Sequence, residues 1–362
     1  MIEALEGLAP EATPLDQADG RWLAKSVLAR RDQPPFDVSA MDGWAVRAAD
    51  VSAGVRLAVV GESAAGAPNR LGIGPGEAVR IFTGAPMPTG ADAVLIQERA
   101  VRHGDAVLVE DPQIEPAHLR PRAGDFSDGG LLLKAGERLN PWRLALAASA
   151  GLGEVECRRS PRVAILANGD ELVEPGEPAE PHQIFNAAGP ALAAFAARWG
   201  AKAQLLGIAG DTEAEIQSRV QGAEFDLLVT IGGASVGDYD RVKPALQALG
   251  VALHLEGCAV RPGKPVWFGT WGDGRAVLGL PGNPASALVC AELFLGPVLA
   301  ALQGGVSTPR IETAKLDQAL GANGPREHYM RAVIFQDESG ANCVRAFGNQ
   351  DSSLVSVMAA AN

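Results

Sequence analysis

Several short segments in the second half of the chain carry the residue types needed to hold an anionic ligand. IGGASVGDYD (231–240) follows an apolar run and precedes a helical pattern. Gly232, Gly233 and Gly237 permit backbone conformations closed to other residues and let amides approach an anion. Ser235 adds a hydroxyl, and the helix start adds a favourable dipole. These features suit a phosphate or pyrophosphate; the plainer reading is a tight strand-to-helix turn with Asp240 as its N-cap. LPGNPAS (280–286) is a second such turn, stiffened by Pro281, Gly282 and Pro284, with Asn283 available to cap the helix. RPGKP (261–265) contributes Arg261 and Lys264, the dense cationic feature of this region. Singly these are structural turns. Together in one sheet they suggest a pocket for a large, negatively charged heterocyclic ligand.

ANGDELVEPGE (167–177) places Asp170 and Glu171 after another apolar run. Carboxylates beside a phosphate commonly hold Mg²⁺, which prefers oxygen ligands; a solvated acidic turn is the alternative. The first half holds PPFDVSAMDGWAV (34–46), IFTGAPMPTGADAVLIQE (81–98) and AGDFSDGG (123–130). Asp42, Thr83 and Asp125 fall at turns there, and their Asp-Gly and Thr-Gly neighbours are ordinary turn chemistry.

Around these segments the hydrophobic period changes four times. Residues 1–30 read as helical, with Leu15, Leu23, Val27 and Leu28 on one broad face. Residues 45–129 break into short β runs such as VRLAVVGE, EAVRIFTG, DAVLIQE and DAVLVE, and WRLALAASAG near 142–151 resumes helical spacing. The β module therefore reads as an insertion (45–129) into a mainly helical linking domain (1–44 with 130–157). From 158 to 304 strands and helices alternate: PRVAILA, a helix carrying Leu192, Phe195, Ala196 and Trp199 up to Gly200, AQLLGIAG, a helix opened by a Thr212–Glu215 capping box, FDLLVTIGG, RVKPALQALG, RAVLGL and a long NPASALVCAELFLGPVLAAL helix. That alternation predicts a doubly wound parallel α/β domain. RIETAKLD, REHYMRAVIF and NCVRAFG then predict a C-terminal β domain (305–362).

Bulk composition narrows the function classes. A length of 362 residues accommodates several domains, and 47% apolar with 20% charged residues is a globular balance. A net charge of −12 argues against nucleic acid as a partner, so an anionic small molecule would need a local basic or amide-rich site. Cys157, Cys258, Cys290 and Cys343 are scattered and form no CxxC, and five scattered histidines give no zinc pattern, as expected of reduced cytoplasmic thiols. The N-terminus lacks the basic flank and apolar run of a signal peptide, and no apolar stretch approaches the ~20 residues of a membrane span. The expectation is a soluble, cytoplasmic protein with no membrane partner.

The set PPFDVSAMDGWAV, FTGAPMPTGADAV, GGASVGDYD, RPGKP and LPGNPAS, in this order and over nearly the whole chain, resembles the MoeA family, the molybdopterin molybdenumtransferases, related to the gephyrin E domain. The resemblance implies a four-domain homodimer whose α/β domain is of the molybdopterin-binding type. It implies that adenylylated molybdopterin and molybdate are substrates, that molybdate replaces the adenylate with release of AMP, and that Mg²⁺ is required. By motif it assigns catalytic roles to Asp42, Thr83, Asp125, Glu171 and Asp240. Metal binding would fall to Asp170, Glu171, Asp211 and Asp240. Substrate binding would fall to Gly232, Gly233, Ser235, Gly237, Arg261, Lys264, Pro281 and Pro284. It makes a molybdopterin adenylyltransferase and recipient molybdoenzymes the implied partners.

The chain departs from the family pattern at six positions: Gly124 stands for glutamate, Asn168 for threonine, Asn186, Ala187 and Ala188 for Asp-Ser-Asn, and Thr212 for aspartate. It also stops at MAAAN, short of the final strands expected of the terminal domain. A hydrogen bond missing at Ala187 or Ala188 would weaken ligand contacts by about 0.5–1.5 kcal/mol each. A molybdopterin-binding or delivery protein without efficient metal insertion is therefore the alternative, and an adenylylating nucleotidyltransferase a third reading against which the two flanking β modules count.

Overall fold

The computed structural model describes residues 1–67, 72–233, 241–309 and 311–362. The chain forms two compact units, one of Ser26–Lys134 with Pro141–Val155, the other of Met1–Lys25, Ala135–Asn140 and Glu156–Asn362.

The first unit is built on a six-stranded sheet in the order Ala93–Ile96, Gly43–Val46, Glu77–Ile81, Arg56–Ser63, Ala106–Val109 and Ala100–His103. Its pairings are antiparallel except Arg56–Ser63 with Glu77–Ile81. Alternation along the strands buries Trp44, Val46, Leu57 and Leu95 in one core cluster and Ala45, Val79, Ile81 and Val94 in another. An α-helix of this unit spans Pro141–Ser149, within the stretch where helical spacing resumes.

The helical reading of residues 1–30 is overturned. Among these residues are single-turn 3₁₀ segments at Ile2–Ala4 and Leu15–Gln17 and short strands at Pro10–Pro14 and Val27–Leu28. Pro10 and Pro14 remove amide donors, and Gly20 takes a left-handed φ of 74°, so a continuous helix is blocked although Leu23 is buried.

The second unit contains the sheet that matters for function. Its strands are β1 (Arg162–Asn168), β2 (Lys202–Ala209), β3 (Leu227–Ile231), β4 (Ala252–Glu256), β5 (Trp267–Thr270) and β6 (Ala276–Leu280). They lie in the order β2-β1-β3-β6-β5-β4. The first four in that order are parallel, as the continuous apolar runs suggest. β5 and β4 extend the sheet by antiparallel pairing, β5 joined to β6 by a hairpin over Trp271–Arg275. Helices α1 (Ala188–Arg198), α2 (Glu213–Val220), α3 (Val242–Ala248) and α4 (Pro284–Leu302) cover both faces. Val163, Ile165, Val229 and Leu278 pack beneath α1 and α4, whereas Ala164, Leu166, Leu228 and Val277 pack beneath α2 and α3. α2 begins as its sequence predicts, Thr212 Oγ1 accepting the Glu215 N–H at 3.3 Å.

α4 corrects the reading that no apolar stretch nears a membrane span. It runs for 19 residues at a mean hydropathy of 2.0, long and apolar enough to cross by length and composition, yet two thirds of that window (67%) is buried within the fold. A π turn at Ala291–Leu295 precedes Pro297, which lacks the N–H a regular helix would use.

Beyond α4, Ala332–Gln336 pairs antiparallel with Asn342–Ala346, which pairs parallel with Lys315–Leu316. Glu327–His328 adds a short parallel bridge to Val260–Arg261, and an unforeseen helix spans Val355–Ala360.

Candidate functional site

A cavity of about 800 Å³ opens at the carboxyl ends of β1, β2, β3 and β6. The position follows from topology. The chain leaves β1 toward α1 on one face and leaves β3 toward α3 on the other, and such switch points open a crevice between neighbouring loops.

Four strand exits form its walls. From β1 come Asn168, Gly169 and Glu171; from β2, Asp211; from β3, Gly232 and Gly233; from β6, Pro281, Gly282, Asn283 and Pro284. Two sequence motifs meet directly, because a Cβ on Gly282 would lie 3.4 Å from Gly232 Cα. Gly232 has φ +90°, and a Cβ there would meet the Asn168 carbonyl at 2.6 Å, so only glycine fits. Its N–H already donates to Leu280 O (3.2 Å). Gly232 thus contributes close backbone approach rather than an amide for an anion. Ser235, Gly237 and Asp240 lie outside the described residues.

The acidic candidates separate by orientation. Glu171 and Asp211 line the cavity; Asp170 does not, and its Oδ1 accepts the Asp211 N–H at 3.1 Å. Asp170 therefore ties the β1 and β2 exits together. Among the described residues no group of three or more His, Cys, Asp or Glu is placed to hold a metal ion. Two cavity-facing carboxylates still fit Mg²⁺, which commonly takes one or two carboxylates and completes its shell with water and substrate phosphates.

In the RPGKP turn, Pro265 lines the cavity, whereas Arg261 and Lys264 are exposed side chains outside its lining. Arg261 sits in the short bridge to Glu327–His328, its carbonyl accepting the Tyr329 N–H at 2.8 Å. The Lys264 carbonyl accepts from Cys258 N–H at 3.0 Å.

The altered positions also resolve. Ala187 and Ala188 line the cavity, but Ala188 is 3% exposed and packs in the core with Leu192. Asn186, itself buried, caps α1 by accepting the Gly189 N–H at 3.0 Å. Asn168 is buried as well, and its Nδ2 donates to Ala209 O (3.2 Å) and Gly210 O (3.0 Å).

Residues with no sequence signal complete the wall. Ser353 and Val355, from the end of the chain, line the cavity, and Ser352 receives the Asn283 Nδ2 hydrogen bond at 3.0 Å. Asn283 therefore does not cap α4 through its side chain. The turn bearing Ser353 is held by Asp351, whose Oδ1 accepts from Ser353 N–H (2.8 Å) and Oγ–H (2.7 Å), and by Arg331, which donates to Asp351 O at 3.0 Å.

In the β-rich unit, Asp42 Oδ1 accepts both the backbone N–H (2.8 Å) and hydroxyl (2.9 Å) of Thr83. These bonds, the backbone one foremost, hold the Asp42 carboxyl below its ordinary pKa, with a smaller contribution from Arg80. Arg80, which no motif reading singled out, lies over the rings of Trp44 (5.3 Å) and Phe82 (4.8 Å) and donates to Gly43 O (3.1 Å) and Gln97 Oε1 (2.8 Å). Asp125 is exposed on its turn, its N–H donating to Gln33 O at 2.9 Å, and Gly124 beside it is exposed too.

Comparison with known proteins agrees with this geometry. Residues 1–151 match the MoeA N-terminal region (domains I and II), 164–301 a probable molybdopterin binding domain, and 313–362 the MoeA C-terminal region (domain IV). A molybdopterin molybdenumtransferase of Nostoc sp. is 38% identical over 332 residues, spanning 88% of this chain and 76% of that protein. One from Haemophilus influenzae is 35% identical over 357 residues, spanning 96% and 87%. A molybdopterin biosynthesis MoeA protein of Pyrococcus horikoshii superposes with a TM-score of 0.78 at 30% identity, covering 99% of this chain and 90% of that one. A second structure of such a protein from Pyrococcus horikoshii OT3 gives a TM-score of 0.83 at 27% identity, covering 100% and 91%. The chain belongs to the MoeA family, that of the molybdopterin molybdenumtransferases.

Proposed function

We propose that this protein inserts molybdate into adenylylated molybdopterin, with AMP as leaving group. The observation that carries the reading is the cavity at the strand exits, with Glu171 and Asp211 facing it and the Gly232 and Gly282 backbones in close approach. Its volume suits a tricyclic pterin with an attached phosphate.

Releasing AMP breaks one phosphorus–oxygen bond of the adenylate linkage and forms another to an oxygen of water, a transfer helped by charge neutralisation and positioning more than by covalent catalysis. Glu171 and Asp211 would hold Mg²⁺, which, when bound, neutralises phosphate charge. Ile184 and Phe185, apolar and about half exposed on the cavity wall, would flank the flat ring system. Lys264 and Arg261, exposed on the adjoining turn, would attract the molybdate and phosphate anions. Asp42, Thr83 and Asp125 are assigned catalytic roles by their motifs, and the Thr83 bonds would keep Asp42 ionised. Asp240, Ser235 and Gly237 are proposed to join the site on the strength of GGASVGDYD.

The proposal extends to a cytoplasmic homodimer that receives substrate from a molybdopterin adenylyltransferase and passes product to molybdoenzymes. The test is molybdate-dependent AMP release from adenylylated molybdopterin by the wild-type protein and by Glu171→Gln. Release by the wild type and loss of at least ~100-fold in the variant are expected; no release by the wild type sinks the transferase reading. A delivery role is the second reading, favoured by Ala187, which lines the cavity with no polar side-chain group. Tight molybdopterin binding without AMP release would establish it.

A further inference from the structure

Asn168 ends β1, lines the cavity and belongs to none of the roles above. Its surroundings make it a junction of three strand exits. Toward β2, its Nδ2 donates to Ala209 O (3.2 Å) and Gly210 O (3.0 Å). Two neighbouring bonds run across the same seam: Gly169 N–H to Ala209 O (3.1 Å) and Asp211 N–H to Asp170 Oδ1 (3.1 Å). Toward β3, the Asn168 carbonyl lies 2.6 Å from where a Gly232 Cβ would stand, and its Oδ1 lies 3.1 Å from the corresponding point on Gly233.

The register makes this junction available. Between Ile165↔Leu205 and Ala167↔Ile208 the β1–β2 pairing slips by one residue, and Gly207 takes φ +81° there. The bulge puts Asn168 opposite Ala209, so one side-chain amide reaches two successive carbonyls. Directly beyond those carbonyls is Asp211, and three residues beyond Asn168 is Glu171, the two carboxylates facing the cavity. A hydroxyl side chain at 168 offers a single donor and cannot hold both carbonyls at once.

We propose that Asn168 is a positioning residue which, by clamping the Ala209 and Gly210 carbonyls to the end of β1, sets the Asp211 and Glu171 carboxylates for a divalent cation shared with a bound phosphate. The asparagine is thus a built-in part of this chain's site and not a defect in its motif. The inference deepens the transferase reading and rests on it only in taking the cavity as a phosphate–cation site.

The experiment uses the full-length protein and titrates Mn²⁺, read by loss of its free-ion paramagnetic resonance signal, in the presence of AMP. Four proteins are compared: wild type, Asn168→Thr, Asn168→Ala and Asn168→Asp. A clamp that works through its two N–H donors predicts affinity falling in that order. Asn168→Ala should weaken Mn²⁺ uptake by roughly 10-fold or more, the scale typical of residues that orient metal ligands. Asn168→Asp should be worse still, because the same shape then aims oxygen at two carbonyl oxygens. A merely space-filling role would instead rank Asn168→Asp with the wild type and above Asn168→Ala. That ranking, equal affinities within twofold, or no Mn²⁺ uptake by the wild type overturns the proposal. If the Ala and Asp variants do not fold, the wild-type to Thr comparison decides, with a several-fold weakening expected and equality overturning the clamp. AMP release from adenylylated molybdopterin is measured in parallel. Wild-type release with unchanged metal affinities refutes the clamp alone, whereas the predicted ranking without release refutes the transferase reading alone.

Discussion

Thr83 gives both of its donors to one oxygen of Asp42, the N–H at 2.8 Å and the hydroxyl at 2.9 Å. The pairing joins two sequence segments 41 residues apart into one carboxylate seat. Both bonds favour the ionised form, the backbone bond most. Thr83→Val keeps the backbone bond and removes the hydroxyl, so the Asp42 pKa should rise toward its ordinary value. Activity that needs ionised Asp42 would then be lost at a higher pH than in the wild type, moving the acid limb of the pH–rate profile upward. An unchanged acid limb would mean that Asp42 ionisation does not govern turnover.

Asp226 anchors the opposite end of the sheet from the cavity. Burial works to raise its pKa, but bidentate bonds from Arg159 (2.6 and 2.7 Å) and the Arg162 N–H (2.8 Å) outweigh it and hold the value at about 2. A carboxyl whose folded pKa is depressed stabilises the fold above its unfolded pKa, and that contribution is lost as pH falls toward 2. Asp226→Asn should cost on the order of 2 kcal/mol at pH 7 and flatten the loss of stability between about pH 4 and pH 2. Denaturant unfolding of both proteins at pH 7, 4 and 3 measures this; parallel pH curves would contradict it.

Ala187 and Ala188 respond differently to restoration of polar side chains. Ala187 immediately precedes α1 and its own side chain makes no cap bond, so Ala187→Ser should be tolerated and, on the delivery reading, should tighten molybdopterin binding by up to about 1.5 kcal/mol. Ala188 is enclosed beside Leu192, and Ala188→Asn should destabilise the fold by about 1–3 kcal/mol through overpacking and polar burial. Thermal unfolding and ligand titration of the two single variants separate the effects. Equal stability of Ala188→Asn and wild type would show that the pocket has room for the side chain.

Trp142 is 82% exposed, Leu131 55% and Leu28 51%, and Leu28 pairs with Leu131 across a short two-stranded ladder. Large apolar groups so exposed favour burial in a partner, which the proposed homodimer would provide. Light scattering should give about 75 kDa, twice the 37.4 kDa chain, and Trp142→Arg should shift the equilibrium toward monomer. A wild-type monomer at micromolar concentration would rule out the assembly.

Much of the α/β unit was legible in the residues themselves. Apolar runs of strand length, a capping box at Thr212 and stops such as Gly200 act within a few residues, so PRVAILA, FDLLVTI and RAVLGL read directly as buried strands and their turns as a ligand crevice. Short-range rules misread residues 1–30, where helical spacing of apolar residues was overridden by Pro10, Pro14 and Gly20. They missed β4 and β5, which are fixed by antiparallel pairing, β5 on β6 and β4 on β5.

The side-chain assignments within the site needed tertiary structure, because they depend on where separate strand exits converge. Asp170 and Glu171 are adjacent in sequence, yet one binds the β2 exit and the other faces the cavity. Asn283 passes over its own helix for Ser352, 69 residues away, and Ser353 reaches the wall from the end of the chain. Asn168 looked like a lost threonine until the Gly207 bulge set it opposite Ala209. Sequence motifs named the loops because backbone conformation is locally encoded. Which atoms of those loops face the ligand was decided by sheet register and by segments brought alongside only in the folded chain.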